Sequence, residues 1–415
     1  MTPEENELLC RTGSGTPMGE MMRRYWIPAL LSEELPEPDS TPKRVRLLGE
    51  DLVAFRDTEG RVGLVDEVCA HRCASLAYAR NEDGGLRCIY HGWKYDVTGK
   101  VLDTPAEPRE SNIKHHVKLL AYPVREVGGV LWAYMGPADR MPVFPEWEWT
   151  TVPGDRRSVG KTIQECNYVQ ALEGDLDSSH SDYLHSSDIR GRPRDHAPLF
   201  EAEDTPYGYR YVAIRKPDQD ADKLKYARIT LFAMPFYAFI PPGRPGISSR
   251  GAGDYETASH HAYVPIDDEH HIFFSFNVSR LGPMPNRGYQ NDRDESYRAF
   301  GNRANMHLQD RATMKDGNWT GIQGVRAQDR AVTESMGPVS PRHKEHLGIS
   351  DTSVVWLRRR LLESVHAFMA GGEPIGLDPS IPHGRLRSEE KVIPIDAPWQ
   401  SLLDYPESRQ LAGVS

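Results

Sequence analysis

A chain of 415 residues exceeds one ordinary compact core and suits two domains, and its 38% hydrophobic and 27% charged residues are the composition of a globular protein. The formal net charge of -10 excludes a nucleic-acid binder, which needs a concentrated basic face; the run Arg358-Arg359-Arg360 reads instead as the solvated face of an amphipathic helix. No apolar run approaches the roughly 18 to 20 residues of a bilayer span, and the acidic start MTPEENELL lacks a signal peptide's regions, so a cytoplasmic enzyme with no membrane partner is expected.

In chain order, residues 1–39 carry a short helical pattern at 18–25 and the turn-rich LPEPDSTP, and are expected to form a helical segment packing on a catalytic domain. Alternation predicts strands at 44–48, 51–56 and 62–68, and short strands with Gly turns continue to Tyr134, so 40–150 reads as a small all-β domain. From 158 to 415 strands mix with long helices. Strands are predicted at 209–214, 227–240, 260–265 and 271–278, and helices at 166–185, 326–336 and 352–369, the last two ending at Gly337-Pro338 and Gly371-Gly372. The fold class is α+β: an all-β domain, then a catalytic domain of antiparallel sheet and long helices.

Five cysteines, Cys10, Cys69, Cys73, Cys88 and Cys166, are odd in number and unevenly placed, which suits metal ligation better than a disulfide framework. Cys69-Ala70-His71 is followed after sixteen residues by Cys88-Ile89-Tyr90-His91. Two thiolates for one iron and two imidazoles for the other is the ligand division of a Rieske 2Fe-2S centre. Structural zinc also accepts two Cys and two His, but zinc fingers pair Cys with Cys, whereas each pair here is mixed. Gly92 allows close backbone approach, and Trp93 and Tyr95 can shield a cluster. With four ligands present, Cys73 reads as a free buried thiol.

In EGDLDSSHSDYLHSSD, Asp177, His180 and His185 form D-x-x-H-x4-H. Five residues turn about 140° on an ideal helix, so the two imidazoles converge only if the helix breaks or bulges, for which 181–183 is the expected place. Two imidazoles need a carboxylate to complete the arrangement that leaves iron open to O2. Asp329 lies in a predicted helix with Val325, Val332 and Met336 near one face and should point to the core; Asp310, Asp316 and Glu334 compete for the role. The doublets His115-His116, His260-His261 and His270-His271 lie in strand-like stretches where neighbours face opposite sides, and read as structural.

Both motifs, with NELLCRTGSGTPMGEMMRRYWIPALL, RLLGEDLVAFRDTEGRVGLVDE and QDRAVTESMGP, resemble the alpha subunits of Rieske aromatic-ring-hydroxylating oxygenases, in particular the phthalate dioxygenase branch. The resemblance covers nearly the whole chain. It implies a helix-grip (START-like) catalytic domain, a 2Fe-2S cluster on Cys69, His71, Cys88 and His91, and mononuclear Fe(II) on His180, His185 and Asp329. It implies that Asp177 bridges a cluster-binding His of a neighbouring protomer to an iron-binding His, hence a head-to-tail homotrimer or stacked trimers. Asn167 matches a family position near the iron. Electrons would come from NADH through a separate flavin and iron-sulfur reductase. The chain departs from the family at Cys73, where CPHRGAPL-like sequences carry Gly.

Beside such an iron, the stretch ARITLFAMPFYAF offers an apolar wall for a flat ring, and Arg228 at its start is a candidate carboxylate clamp. A second family Arg is replaced in Ala197-Pro198-Leu199, so a ring with one carboxylate fits slightly better than phthalate, although Arg190, Arg192 and Arg194 also fall nearby in sequence. Three readings stay open: ring cis-dihydroxylase, Rieske monooxygenase such as an O-demethylase, and non-enzymatic electron carrier. A carrier needs no second metal site.

Overall fold

The computed structural model describes residues 1–187, 197–217, 220–241, 257–280, 282–284 and 292–403. The chain divides into two compact units, one of Arg11–Phe144 with Val264–Asp267, the other of Met1–Cys10, Pro145–Tyr263 and Asp268–Ser415.

The first unit is mainly β; its one α-helix, Pro17–Met22, falls on the helical pattern expected at 18–25. One antiparallel sheet orders Lys43–Leu47, Glu50–Arg56, Val62–Asp66 and Ala121–Tyr122, and a second orders Arg80–Glu82, Gly85–Arg87, Lys94–Tyr95 and Val101–Asp103. Val53, Phe55, Val65, Leu76, Leu86, Trp93 and Leu119 form its core, closing around Cys69 and Cys88. A third sheet pairs Trp26–Leu31 and Val124–Val127 with Val130–Tyr134. That pairing corrects the expectation for residues 1–39. They do not pack as one helical segment on the catalytic domain, because the apolar strand WIPALL satisfies its backbone against Val130–Tyr134. Only the helix Pro3–Cys10 joins the second unit, where Tyr168 donates to the Leu9 carbonyl and Asn6 to that of Ser340.

In the second unit an eight-stranded antiparallel sheet runs Arg157–Gln164, His271–Ser279, Thr257–Pro265, Tyr237–Ile240, Leu224–Ala233, Gly208–Arg215 and Leu199–Thr205, with Glu389–Pro394 pairing Leu224–Ala233. The single strand expected over 227–240 is two strands, separated by the cis bond Met234-Pro235. The helix Tyr168–Leu176 packs against both Val325–Ser335 and Thr352–Met369, and the last also lies against the sheet, its Ser353 carbonyl accepting from Tyr209. Thr352–Met369 buries Val354, Leu357, Leu361 and Val365 at helical spacing and stops before Gly371, whose φ of +84° ends it. The basic run on this helix is not a solvated face throughout. Arg358 is buried against Glu173 and Glu345, because Glu173, itself buried between Arg342 and Arg358, needs both cations.

Candidate active site

In the β unit, Cys69 and Cys88 are buried while His71 and His91 are half-buried, so the sulfurs face inward and the imidazoles outward. The two rings are 4.5 Å apart, and His71 stacks on Trp93 at 4.7 Å with its Nδ1 buried and without a hydrogen-bond partner among the described residues. Tyr95 Oη lies 3.1 Å from Cys69 Sγ; burial holds the phenol pKa far above its usual value, so it remains a donor to a thiolate. Two buried sulfurs opposite two imidazoles with an orphaned nitrogen fit a Rieske cluster. Gly92 has φ +75°, and a Cβ there would sit 2.6 Å from Pro105 Cγ. Cys73 is exposed, correcting the expectation of a buried thiol: its φ of +57° turns the loop outward, a backbone state that favours the Gly found in CPHRGAPL-like sequences.

In the second unit the helix expected over 166–185 is shorter. It spans Tyr168–Leu176 and ends at Asp177, whose carboxylate accepts from the backbone N–H groups of Ser179 (2.7 Å) and His180 (3.3 Å). These bonds compete with the helical ladder, so the break falls four residues before its expected place, and His180–Asp182 forms a single 3-10 turn. The break carries His180 across to His185. Their Nε2 atoms are 3.1 Å apart, and Asp329 Oδ1 lies 2.9 Å from His185 Nε2 and 3.5 Å from His180 Nε2. Octahedral donors at about 2.1 Å from a metal lie about 3.0 Å apart, so this triangle fits one face of the 2-His-1-carboxylate arrangement.

Burial opposes protonation of His180, but the carboxylates of Asp177 and Asp329 outweigh it and push the pKa up to about 10. Burial likewise opposes ionisation of Asp329, and the two imidazoles reverse it, holding the carboxyl well below its usual range. A cation at this point serves both carboxylates. Asp177 Oδ2 stands 3.5 Å from His180 Nδ1, an electrostatic contact without hydrogen-bond geometry. Gln328, which sequence reasoning missed, fixes the other imidazole: its Nε2 donates to Ile322 O and Thr320 Oγ1, leaving Oε1 to accept from His185 Nδ1 at 2.7 Å. His185 therefore presents the lone pair of Nε2 to the triangle.

Asp329 opens on a chamber of about 980 Å3 whose apolar lining includes Tyr263, Phe273, Phe300 and Ile322. His261, read from sequence as structural, also lines it, its Nδ1 bonded to Asp175 and its Nε2 3.0 Å from Ser259 Oγ. His260 faces the opposite side beside Glu148, as strand alternation requires.

Two candidates fall elsewhere. Asn167 is not beside the triad: it is the N-cap of Tyr168–Leu176, its Oδ1 accepting from Val169 N and its Nδ2 donating to the carbonyls of Cys10 and Asp268, so its amide is spent on capping. Arg228 does not line the chamber; its Nη1 is 2.8 Å from Glu390, directly opposite it on the neighbouring strand, and that carboxylate takes up its charge. Arg190, Arg192 and Arg194 lie outside the described residues.

Residues 25–123 match the family described as Rieske [2Fe-2S] domain, and residues 133–412 the family described as LigXa C-terminal domain like. The chain is 45% identical to the phthalate 4,5-dioxygenase oxygenase subunit of Pseudomonas putida, over 96% of this chain and 94% of that protein. It is 37% identical to the 3-chlorobenzoate-3,4-dioxygenase oxygenase subunit of Comamonas testosteroni, over 96% of each. Among solved structures, NdmA of Pseudomonas putida CBB5 with caffeine matches at a TM-score of 0.61, covering 86% of this chain and 94% of that one; at 21% identity this is a likeness of fold. No helix among the described residues is long and apolar enough to cross a membrane.

Proposed function

The chain belongs to the Rieske aromatic-ring-hydroxylating oxygenases, and from that premise we propose that it is the terminal oxygenase of a system that cis-dihydroxylates an aromatic carboxylate. The substrate class is a substituted benzoate, a phenoxybenzoate or phthalate. Ring, O2, NADH and one proton give the cis-diol and NAD+, with the electrons arriving through a separate flavin and iron-sulfur reductase. The observation that carries the reading is the His180, His185 and Asp329 triangle opening on an aromatic-lined chamber.

Cys69, Cys88, His71 and His91 would hold the cluster, and His180, His185 and Asp329 the mononuclear iron. Bound there, iron supplies the one-electron chemistry with O2 that no side chain provides. The chain's own residues do the rest. Gln328 keeps His185 in its ligating tautomer, and the chamber lining excludes water and orients the ring. Asp177, pinned by two backbone N–H groups with its Oδ2 3.5 Å from His180 Nδ1, would stand at the junction through which a neighbouring protomer's cluster delivers electrons. The functional unit is then a homotrimer or stacked trimers without a separate beta subunit.

The test is product analysis with labelled O2, NADH, a reductase and a panel of aromatic mono- and dicarboxylates. A diol carrying both labelled atoms is expected. One labelled atom in the product and one in water would establish monooxygenation instead, and no product from any aromatic acid would sink the substrate class.

A further inference from the structure

Six arginines among the described residues are buried: Arg23, Arg215, Arg228, Arg330, Arg342 and Arg358. Five have a carboxylate in contact. Arg23 meets Glu50 at 2.8 Å, Arg215 meets Asp182 at 2.9 Å, Arg228 meets Glu390 at 2.8 Å, and Arg342 and Arg358 meet Glu173 at 3.0 and 2.7 Å. Arg330 is the exception. It is 5% exposed, no carboxylate among the described residues lies in contact with it, and its Nε has no hydrogen-bond partner there.

A buried guanidinium stays charged, and leaving it uncompensated opposes folding, so such a group marks a place that a ligand completes. The carboxylates that act on it from a distance, Asp292 and Glu334, are the nearest alternatives. Glu334 is turned elsewhere: its Oε1 accepts from Glu165 N at 3.0 Å and its Oε2 stands 3.6 Å from His307. Arg330 lines the same chamber as Asp329 and follows it directly on the helix Val325–Ser335. Arg326, one turn earlier, also lines the chamber, but it donates to Ser275 Oγ and lies over the Phe273 ring.

Resting on the reading of an aromatic-carboxylate oxygenase, we propose that Arg330 is the specificity-determining anchor that receives the substrate carboxylate. The planar guanidinium matches a carboxylate in two parallel hydrogen bonds, and a ring held this way lies in the chamber beside the Asp329 corner of the triad. The apolar lining at Phe273, Phe300 and Ile322 takes the ring itself. Arg330 thereby replaces Arg228 in the anchoring role, because Arg228 already has its counter-ion.

The test is equilibrium binding to the anaerobic holo-oxygenase, carrying cluster and iron, of benzoate, phthalate and their uncharged methyl esters. Arg330→Met should weaken the acids by at least about tenfold and leave the esters unchanged. Arg330→Lys, which keeps charge but not the fork, should fall between, and it carries the test if the Met variant loses iron. Acids bound as tightly by both variants as by the unsubstituted protein would overturn the anchor and leave the functional reading standing. An unsubstituted holo-oxygenase that binds esters but none of the acids would overturn both.

Discussion

Removing the Gln328 side-chain amide tests the metal triangle without touching a ligand. The His185 Nδ1–H now donates to Gln328 Oε1 at 2.7 Å inside a buried pocket. In Gln328→Leu that donor has no acceptor, and an orphaned buried donor costs about 1–3 kcal/mol. The imidazole escapes the cost by moving its proton to Nε2, but this removes the lone pair that faces Asp329 and His180, and a metal must then restore the original tautomer. Loss of a supporting hydrogen bond of this kind lowers metal affinity by about 10–100-fold, and at 1.36 kcal/mol per decade the two ranges agree. Gln328→Glu loses the donation to Ile322 O but keeps an acceptor for His185 Nδ1–H, so it should bind Fe(II) more tightly than Gln328→Leu. Affinity is read by anaerobic competition with a colorimetric Fe(II) chelator. The visible spectrum of the cluster, whose proposed ligands belong to the other compact unit, reports whether the protein is intact. Equal affinities for Gln328→Leu and unsubstituted protein, or equal weakness in the Leu and Glu variants, would refute the tautomer argument.

Asp177→Asn should leave both metals bound yet slow reoxidation of a reduced cluster by the substrate-loaded iron site by about 10–100-fold, followed in a stopped-flow spectrometer; an unaltered rate would remove Asp177 from the electron path. A pH effect comes from His271, which burial holds at a pKa of about 4 against an ordinary 6.5 although its Nδ1 donates to Cys166 O. Because the unfolded imidazole takes up a proton first, stability is complete above 6.5 and falls by roughly 3 kcal/mol as the pH drops towards 4. Urea midpoints at pH 7.5 and 5 should therefore differ less in His271→Asn than in the unsubstituted protein, and parallel losses in both would discredit the assignment.

How far the sequence speaks depends on which force sets each feature. Cys69, His71, Cys88 and His91 are legible because metal-binding side chains are few and each pair spans one loop, and the helix Thr352–Met369 lies where apolar spacing puts it. The helix expected over 166–185 was misjudged because Asp177 offers its carboxylate to Ser179 and His180, a local competition that periodicity does not record. Asn167 is put near iron by the family resemblance alone, while its role as a helix N-cap depends on the carbonyls of Cys10 and Asp268, which are remote in sequence. Arg228 looked free because its counter-ion, Glu390, is remote in sequence and meets it only when two strands pair. The helix Val325–Ser335 is the most instructive case. Val332 and Met336, which were to mark its inward face, are exposed, whereas Gln328, Arg330, Thr333 and Glu334 are buried. Asp329 thus sits on the inward side for a reason opposite to the one read from the sequence: the wall it belongs to is polar because it borders a chamber and a metal. A helix whose buried positions are charged or amide-bearing inverts the amphipathic rule, and that inversion, Gln328 beside Asp329 beside Arg330, is itself the sequence signal that this turn was shaped by chemistry and not by packing.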